Sequence, residues 1–507
     1  MAKISASGLT FCYDGSYDDI FYEASFIMDT NWKLGLIGRN GKGKTTLLRL
    51  LMGQYSYRGS ISSSVLFDYF PFQIQKEDME RDTIEVIERI QPDYELWRIC
   101  RELELLYVEA DILYRPYQTL SHGERTKVML AVLFSRENYF LLIDEPTNHL
   151  DMETRELLCA YLNRKKGFIL VSHDRWLLDS CIDHVLALER NHIEVEKGNF
   201  TSWWENKQRR DQYEISENEK LKQEIKKMEE SARKASAWAE KAENTKIGFN
   251  PLKEHDRFLD TRAYIGEKAR RMQQRRKNLE RRQQTAIREK EQLLKNLEQP
   301  AQLRLTPLTH HKETYIRIKD ASVSYGSHQV IRNFSMELKR GERILLQGKN
   351  GCGKSSILKM ILRDAGMRLP GEKDFCVQGQ HELAAGLEIS YINQDTSFLM
   401  GSLDAYMERE SLDGSLFRTI LRKLDFERIQ FEKPMEEYSE GQKKKVLIAS
   451  SLLKPAHLYI WDEPMNYIDI FSRMQIEELI LEYEPTMLLV EHDRDFGNRC
   501  ATQVITI

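Results

Sequence analysis

Four short motifs occur twice in this chain, in the same order, and that repetition constrains the fold more than any other feature. GRNGKGKTT at 38–46 returns as GKNGCGKSS at 348–356, and LSHGERTKV at 120–128 returns as YSEGQKKKV at 438–446. LLIDEPTNHLD at 141–151 returns as LYIWDEPMNYID at 458–469, and LVSHDR at 170–175 as LVEHDR at 489–494. Two copies of one domain are therefore expected. Each half of a 507-residue chain with 41% hydrophobic residues can bury its own core. The chain ends shortly after the last motif, so no further C-terminal domain is expected.

The motifs carry phosphate chemistry. GxxxxGK[ST] spans Gly38 to Thr45 and again Gly348 to Ser355, each after a strand-like apolar run, WKLGLIG or RILLQG. Such a loop turns successive backbone N–H groups toward phosphates at the start of a helix. Lys44 and Lys354 are placed to reach the β- and γ-phosphates, and Thr45 and Ser355 to offer a hydroxyl to Mg²⁺. Asp144 and Asp462 end apolar runs that read as buried strands, where a carboxylate can hold Mg²⁺; Glu145 and Glu463 follow, placed to polarise an attacking water. His173 and His492 follow a second apolar run, as γ-phosphate contacts or as satisfied core histidines.

Between the copies the composition changes. Residues 205–298 hold 25 Lys or Arg and 18 Asp or Glu, a net of +7 in a chain whose total is −4. Pro and Gly are absent from 205 to 247 and from 267 to 299. Leu221, Ile225, Met228, Ala232, Ala235, Ala239 and Ala242 follow a four-three heptad spacing, and Ile265, Met272, Leu279, Ala286 and Leu293 recur every seven residues. Two helices, each of about 33–38 residues and about 50–57 Å, read as an antiparallel coiled-coil hairpin with a tip near 244–265. Its second helix carries Arg270, Arg271, Arg275, Arg276, Lys277, Arg281 and Arg282 against Glu267 and Glu280. That excess suits a polyanion, and Arg suits phosphate bidentately; the competing reading is a solvated helix face. Phe249, Leu252, Phe258 and Leu259 are apolar residues in a small loop, suited to stacking on unpaired bases or to capping the coiled coil.

Other function classes recede. No run of about 18 apolar residues occurs, so no helix should span a membrane. The start, MAKISASGLTFCYDG, lacks a signal-peptide pattern, and seven scattered cysteines without a CxxC pair argue for a reducing cytoplasm.

The phosphate loop, LSHGE-type signature, DEPTNHLD and SHD, in this order and spacing, resemble the ABC ATPase family, and two such domains around a charged helical linker resemble its ABC-F group. The resemblance implies an α/β fold: two tandem ABC-type P-loop ATPase domains, 1–204 and 313–507, joined by the antiparallel α-helical hairpin 205–298 and a connector 299–312. It implies head-to-tail pairing, with each ATP between one domain's loop and the other's signature. Site one then joins Gly38, Asn40, Gly41, Gly43, Lys44, Thr45, Thr46, Asp144, Glu145 and His173 to Ser439, Gly441 and Gln442. Site two joins Gly348, Asn350, Gly351, Gly353, Lys354, Ser355, Ser356, Asp462, Glu463 and His492 to Ser121, Gly123 and Glu124. Tyr13 and Tyr325 match the aromatic that stacks on adenine, or serve as core packing, and Gln394 matches the glutamine that meets the metal. The first domain has Phe72 at the Gln394 position, with Gln73 after it. His122 and Glu440 stand where a glycine is usual, Tyr438 stands for leucine, and both catalytic glutamates are kept, so two unequal active sites are expected.

ABC-F relatives bind ribosomes near the exit-tRNA site with the hairpin directed toward the peptidyl-transferase centre. The expected partners are therefore the 70S ribosome, ribosomal RNA and peptidyl-site tRNA, with ATP and Mg²⁺ as cofactors, no membrane, and a monomer in solution. The loop-to-signature interval is no longer in the first copy than in the second, so an arm insertion is not expected. That, NYID and the KIG…YIGEKARRMQQRRKNLE tip resemble the Lsa/Vga/Sal-type antibiotic-resistance branch, which protects against lincosamides, pleuromutilins and group A streptogramins. The rival readings are a translation factor relieving stalled ribosomes and an ATPase subunit of a membrane transporter.

Overall fold

The computed structural model describes residues 3–13, 19–148, 150–189, 193–244, 281, 303–367 and 374–507. The chain forms two compact units, Met1–Trp203 with Ala301–Ile507, and Trp204–Pro300.

In the first half the strands are β1 (Lys3–Phe11), β2 (Phe21–Asp29), β3 (Lys33–Ile37), β4 (Arg58–Ser62), β5 (Leu66–Phe70), β6 (Tyr139–Asp144), β7 (Phe168–Val171), β8 (His184–Leu188) and β9 (Ile193–Lys197). β2-β1-β4 form an antiparallel sheet, and β5-β6-β7-β3-β8-β9 a second sheet that is parallel except for β8–β9. β7 (FILV) is buried throughout and β3 (KLGLI) and β6 (YFLLID) nearly so, as parallel strands covered on both faces require. Neighbouring β6, β7 and β3 end side by side, with Asp144 opposite Val171 and Gly35 opposite Leu170. Their carboxyl ends carry the phosphate loop, the DEP turn and the SHD turn, where an open α/β sheet binds its ligand.

The second half repeats this plan with β10 (Thr314–Tyr325), β11 (His328–Lys339), β12 (Arg343–Gln347), β13 (Cys376–Leu383), β14 (Ile389–Ile392), β15 (Leu458–Asp462), β16 (Met487–Val490) and β17 (Gln503–Thr506). β11-β10-β13 are antiparallel and β14-β15-β16-β12-β17 parallel. Alternation along the strands divides its core in two. Leu458 and Ile460, with Leu488 and Val490, face the cluster under the loop helix Lys354–Asp364, whereas Tyr459 and Trp461, with Met487 and Leu489, face the helices Gly414–Lys423 and Glu440–Leu453. Leu303 and Leu305 of the connector join the latter cluster, and Leu308 N–H donates to the Ala456 carbonyl at 2.8 Å.

The helix Phe200–Asn244 is 45 residues, about 67 Å at 1.5 Å per residue. It starts before residue 205, because Asn199 Oδ1 accepts the Ser202 N–H at 3.0 Å and Phe200 and Trp203 are buried in the first unit. Along it Ile225 is buried and Leu221 and Met228 are half-buried, with exposed residues between, which is the four-three spacing. The tip and its Phe249 and Phe258, and Arg270, Arg271, Arg275, Arg276, Lys277 and Arg282, lie outside the described residues; Arg281 is helical and exposed. Among the described residues no helix is long and apolar enough to cross a membrane.

Candidate functional site

Both phosphate loops depend on a left-handed glycine before the helix. Gly43 has φ 88° and Gly353 φ 106°. A Cβ would stand 2.6 Å from Ile20 Cγ2 at the first and 2.6 Å from Ile331 Cγ1 at the second, so no side chain fits. Gly41 and Gly351 share positive φ, and the helices Lys44–Leu51 and Lys354–Asp364 begin here without a side-chain cap, the kind of helix start that suits an anion. Lys44 Nζ donates to Gly38 O at 2.7 Å and Asn40 Oδ1 at 3.2 Å; Lys354 Nζ donates to Gly348 O at 2.8 Å and Lys349 O at 3.0 Å. Tyr13, exposed beside the first loop, shares a 2.8 Å hydrogen bond with Thr46 Oγ1, and Tyr325 a 3.2 Å bond with Ser356 Oγ.

The acidic turns come next. Thr45 Oγ1 and Tyr69 OH donate to Asp144 Oδ2 at 2.9 and 3.0 Å. Asp462 is buried, and burial with the Glu463 charge pushes its carboxyl up to about 6 against the hydrogen bond from Ser355. Its Oδ1 is buried without a hydrogen-bond partner, and a hard cation suits that oxygen and the Ser355 hydroxyl together. Glu145 and Glu463 both take positive φ, 51° and 48°, a backbone cost of about 1–3 kcal/mol typical of functional positions. Their N–H groups are fixed on the next strand, at 2.9 Å from Val171 O and 3.0 Å from Val490 O.

The two glutamates sit in different fields. Gln394 Nε2 and Asn466 Nδ2 donate to Glu463 Oε2 at 2.8 and 2.7 Å, and His492 Nε2 lies 3.6 Å from Oε1. Burial pushes Glu463 up, but His492, Lys444 and the Gln394 amide outweigh it and hold the carboxyl below its usual range. Glu145 is pushed up to about 8 by burial and the Asp144 charge, with His173 Nε2 3.3 Å from Oε1. Burial, with the Lys44 and Arg473 charges, holds the His173 ring well below the ordinary range, so it is neutral. Phe72 at the Gln394 position has no amide to give Glu145, and Gln73 is exposed.

The signature serines cap helices. Ser121 Oγ accepts the Glu124 N–H at 3.2 Å and Glu124 Oε2 accepts the Ser121 N–H at 2.8 Å; Ser439 and Gln442 repeat this at 3.3 and 2.9 Å. Glu124 and Gln442 thus close capping boxes, a role the spacing S-x-x-E/Q could have disclosed. The pairing is head to tail. Asn40 Nδ2 donates to Tyr467 O at 3.3 Å, and a Cβ on the signature residue Gly441 would stand 2.6 Å from that same oxygen. Arg39 pairs with Asp425 at 2.5 Å. In mirror image Asn350 N–H donates to Asp151 and Lys349 pairs with Glu153 at 2.7 Å. At site two, a cleft of about 450 Å³ brings His122 of the first signature to Asn350, Lys354, Ser355, Gln394, Glu463 and His492. Arg175 on Glu477 is buried across the interface, and the buried Lys445–Asp469 pair at 3.1 Å, within the second domain, lies in the field of Lys44 and His173. Lys444, Glu491 and Tyr69 were not singled out from the motifs; paired differences between the copies, T/M in DEPxN and S/E in LVxHDR, mark Glu491.

The sequence profile of the family described as ABC transporter matches residues 21–148 and 331–466, more than half of the chain. The "Ribosome protection protein VmlR" of Bacillus subtilis (strain 168) is 26% identical over 482 residues, 94% of this chain and 81% of that protein. "ABC transporter F family member 5" of Arabidopsis thaliana is 24% identical, over 95% of this chain and 72% of that protein. Among solved structures, the complex of the archaeal ribosome recycling factor aABCE1 with the stalk protein aP1 matches with a TM-score of 0.59 at 19% identity, covering 98% of this chain and 87% of that one. That likeness shows a shared fold. The chain belongs to the ABC ATPase family, in its ABC-F group, and ATP hydrolysis is its chemistry.

Proposed function

We propose that this protein is a cytoplasmic, monomeric ATPase that binds the bacterial ribosome in its ATP-closed state and protects it from peptidyl-transferase-centre antibiotics of the lincosamide, pleuromutilin and streptogramin A classes. The observation that carries this reading is similarity to a named ribosome protection protein along 94% of the chain. The net +7 of residues 205–298 supports it, as a handle for ribosomal RNA and tRNA near the exit-tRNA site.

In this reading ATP joins each loop to the opposite signature and draws the domains together. Lys44 and Lys354 bind the phosphates. Thr45 with Asp144, and Ser355 with Asp462 and Gln394, would hold Mg²⁺, which supplies charge neutralisation on the phosphates. Tyr13 and Tyr325 stack on adenine. Glu463, ionised and oriented by Gln394 and Asn466, aligns the water at site two, and Glu145 does so at site one once it loses its proton. Hydrolysis reopens the pair and releases the ribosome, and the hairpin tip, with Phe249 or Phe258, displaces the drug.

Cosedimentation tests the gate. With Glu145→Gln and Glu463→Gln together, ATP should still bind and the chain should stay with ribosomes through a washing step that releases wild type. Release at the wild-type rate overturns ATP gating. A chain that never sediments with ribosomes overturns the reading as a whole and restores the transporter-subunit alternative.

A further inference from the structure

The second domain departs from the first at two coupled positions. In the first, Thr147 Oγ1 and Ser172 Oγ lie 3.3 Å apart, and Ser172 Oγ accepts the Asp174 N–H at 3.1 Å. Two hydroxyls thus join the DEP turn to the SHD turn. In the second, Met465 and Glu491 stand there. A methionine cannot take the threonine's part, and the carboxylate replaces both hydroxyls. Glu491, 3% exposed, accepts the Met465 N–H at 2.7 Å on one oxygen and the His492 N–H at 3.1 Å on the other.

A buried carboxylate persists only if its charge is answered. Burial pushes Glu491 up, and the Met465 N–H and the Arg473 charge oppose this. Lys444 adds a second buried cation: it is 3% exposed, interacts electrostatically with Asp462, Glu491 and Glu463, and its Nζ donates to the Asn393 carbonyl at 3.0 Å. Asn393 precedes Gln394, which donates to Glu463. Lys444 also lies on the helix capped by Ser439, whose signature faces site one. The first domain has Thr126 at this position.

We propose that Glu491 is a positioning residue for hydrolysis at the second ATP site: it clamps the turn after Glu463 to the backbone of His492, beside the Gln394 segment that Lys444 holds on the signature helix. Glu491 touches backbone rather than reacting atoms. Its effect is the placement of Glu463 and His492, whose side chains meet across 3.6 Å, beyond the bond that the Glu463 N–H makes to Val490 O.

The test measures ATP hydrolysis by the full chain over a range of ATP concentrations. Glu491→Ser leaves two N–H groups without their acceptor, and kcat at pH 7, where site two carries the larger share of turnover, should fall about fivefold or more, with KM within about twofold because the phosphate loop is untouched. Adding Met465→Thr installs the hydroxyl pair of the first domain and should return kcat to within about twofold of wild type. Glu491→Gln keeps the volume and one carbonyl oxygen; its kcat should fall between those of wild type and Glu491→Ser at an unchanged melting temperature, and it decides the matter if Glu491→Ser does not fold. Wild-type kcat in the Gln variant overturns the proposal. So does a Ser/Thr double variant no better than Glu491→Ser alone.

Discussion

Silencing one ATP site at a time, with Glu463→Gln or Glu145→Gln, exposes the pH dependence of the other. Glu145 is pushed up to about 8 by burial and Asp144, so near pH 7 most of it is protonated. Glu463 is held below its usual range and is ionised throughout that region. Only the ionised carboxylate aligns the water, so activity is lost below the pKa and gained above it. The Glu463→Gln chain should therefore show kcat/KM, which reports the free enzyme, rising about tenfold from pH 7 to 9. The Glu145→Gln chain should be flat over that range. Phe72→Gln offers Glu145 the kind of amide donor that Gln394 gives Glu463 at 2.8 Å, and should move the site-one rise toward lower pH. Single-turnover hydrolysis at limiting ATP measures all three. Superimposed profiles, or a rise in the Glu145→Gln chain instead, refute the assignment of unequal fields.

Gly353→Ala places a methyl 2.6 Å from Ile331 Cγ1 at φ 106°, and should abolish ATP binding at site two in a nucleotide-binding titration. Trp461→Ala, which empties a fully buried site and removes the 2.9 Å bond from Nε1 to Ser451 Oγ, should cost about 3–5 kcal/mol in denaturant unfolding. Reversing Arg275, Arg276, Arg281 and Arg282 to Glu should weaken ribosome binding and flatten its salt dependence while ribosome-free ATPase activity holds; unchanged binding across a salt titration returns the run to a solvated face. Alanine at Phe249 and Phe258 should reduce drug protection more than ribosome binding, as susceptibility and cosedimentation run in parallel will tell.

The loop geometry of the candidate ATP sites was legible because its sequence signals are local. Nine residues of phosphate loop specify a strand end, a left-handed glycine and a helix start, and Gly43 and Gly353 stand in that conformation. The departure at Phe72 was also visible, and its consequence is the field around Glu145, which requires knowing what surrounds a carboxylate in space. Glu124 and Gln442 were read as ATP ligands through family resemblance, whereas their side chains close capping boxes. Glu491 and Lys444 each look ordinary in their own motifs; the paired differences between the copies mark Glu491, but its contact with the Met465 N–H and that of Lys444 with the Asn393 carbonyl require the three-dimensional meeting of separate segments. The helix start at Phe200 came from an Asn cap and two buried aromatics rather than from the heptad pattern that marked the hairpin.

The most direct measurement of the central claim is a susceptibility panel in a heterologous bacterial host. Cells expressing the wild-type chain should show raised resistance to at least one of the lincosamide, pleuromutilin and streptogramin A classes, and not to drugs acting away from the peptidyl-transferase centre. Cells expressing the Glu145→Gln, Glu463→Gln chain should show no such protection. Wild-type cells as sensitive as the empty host, with the protein expressed and sedimenting with ribosomes, contradict the protection reading and leave a ribosome factor that works without a drug.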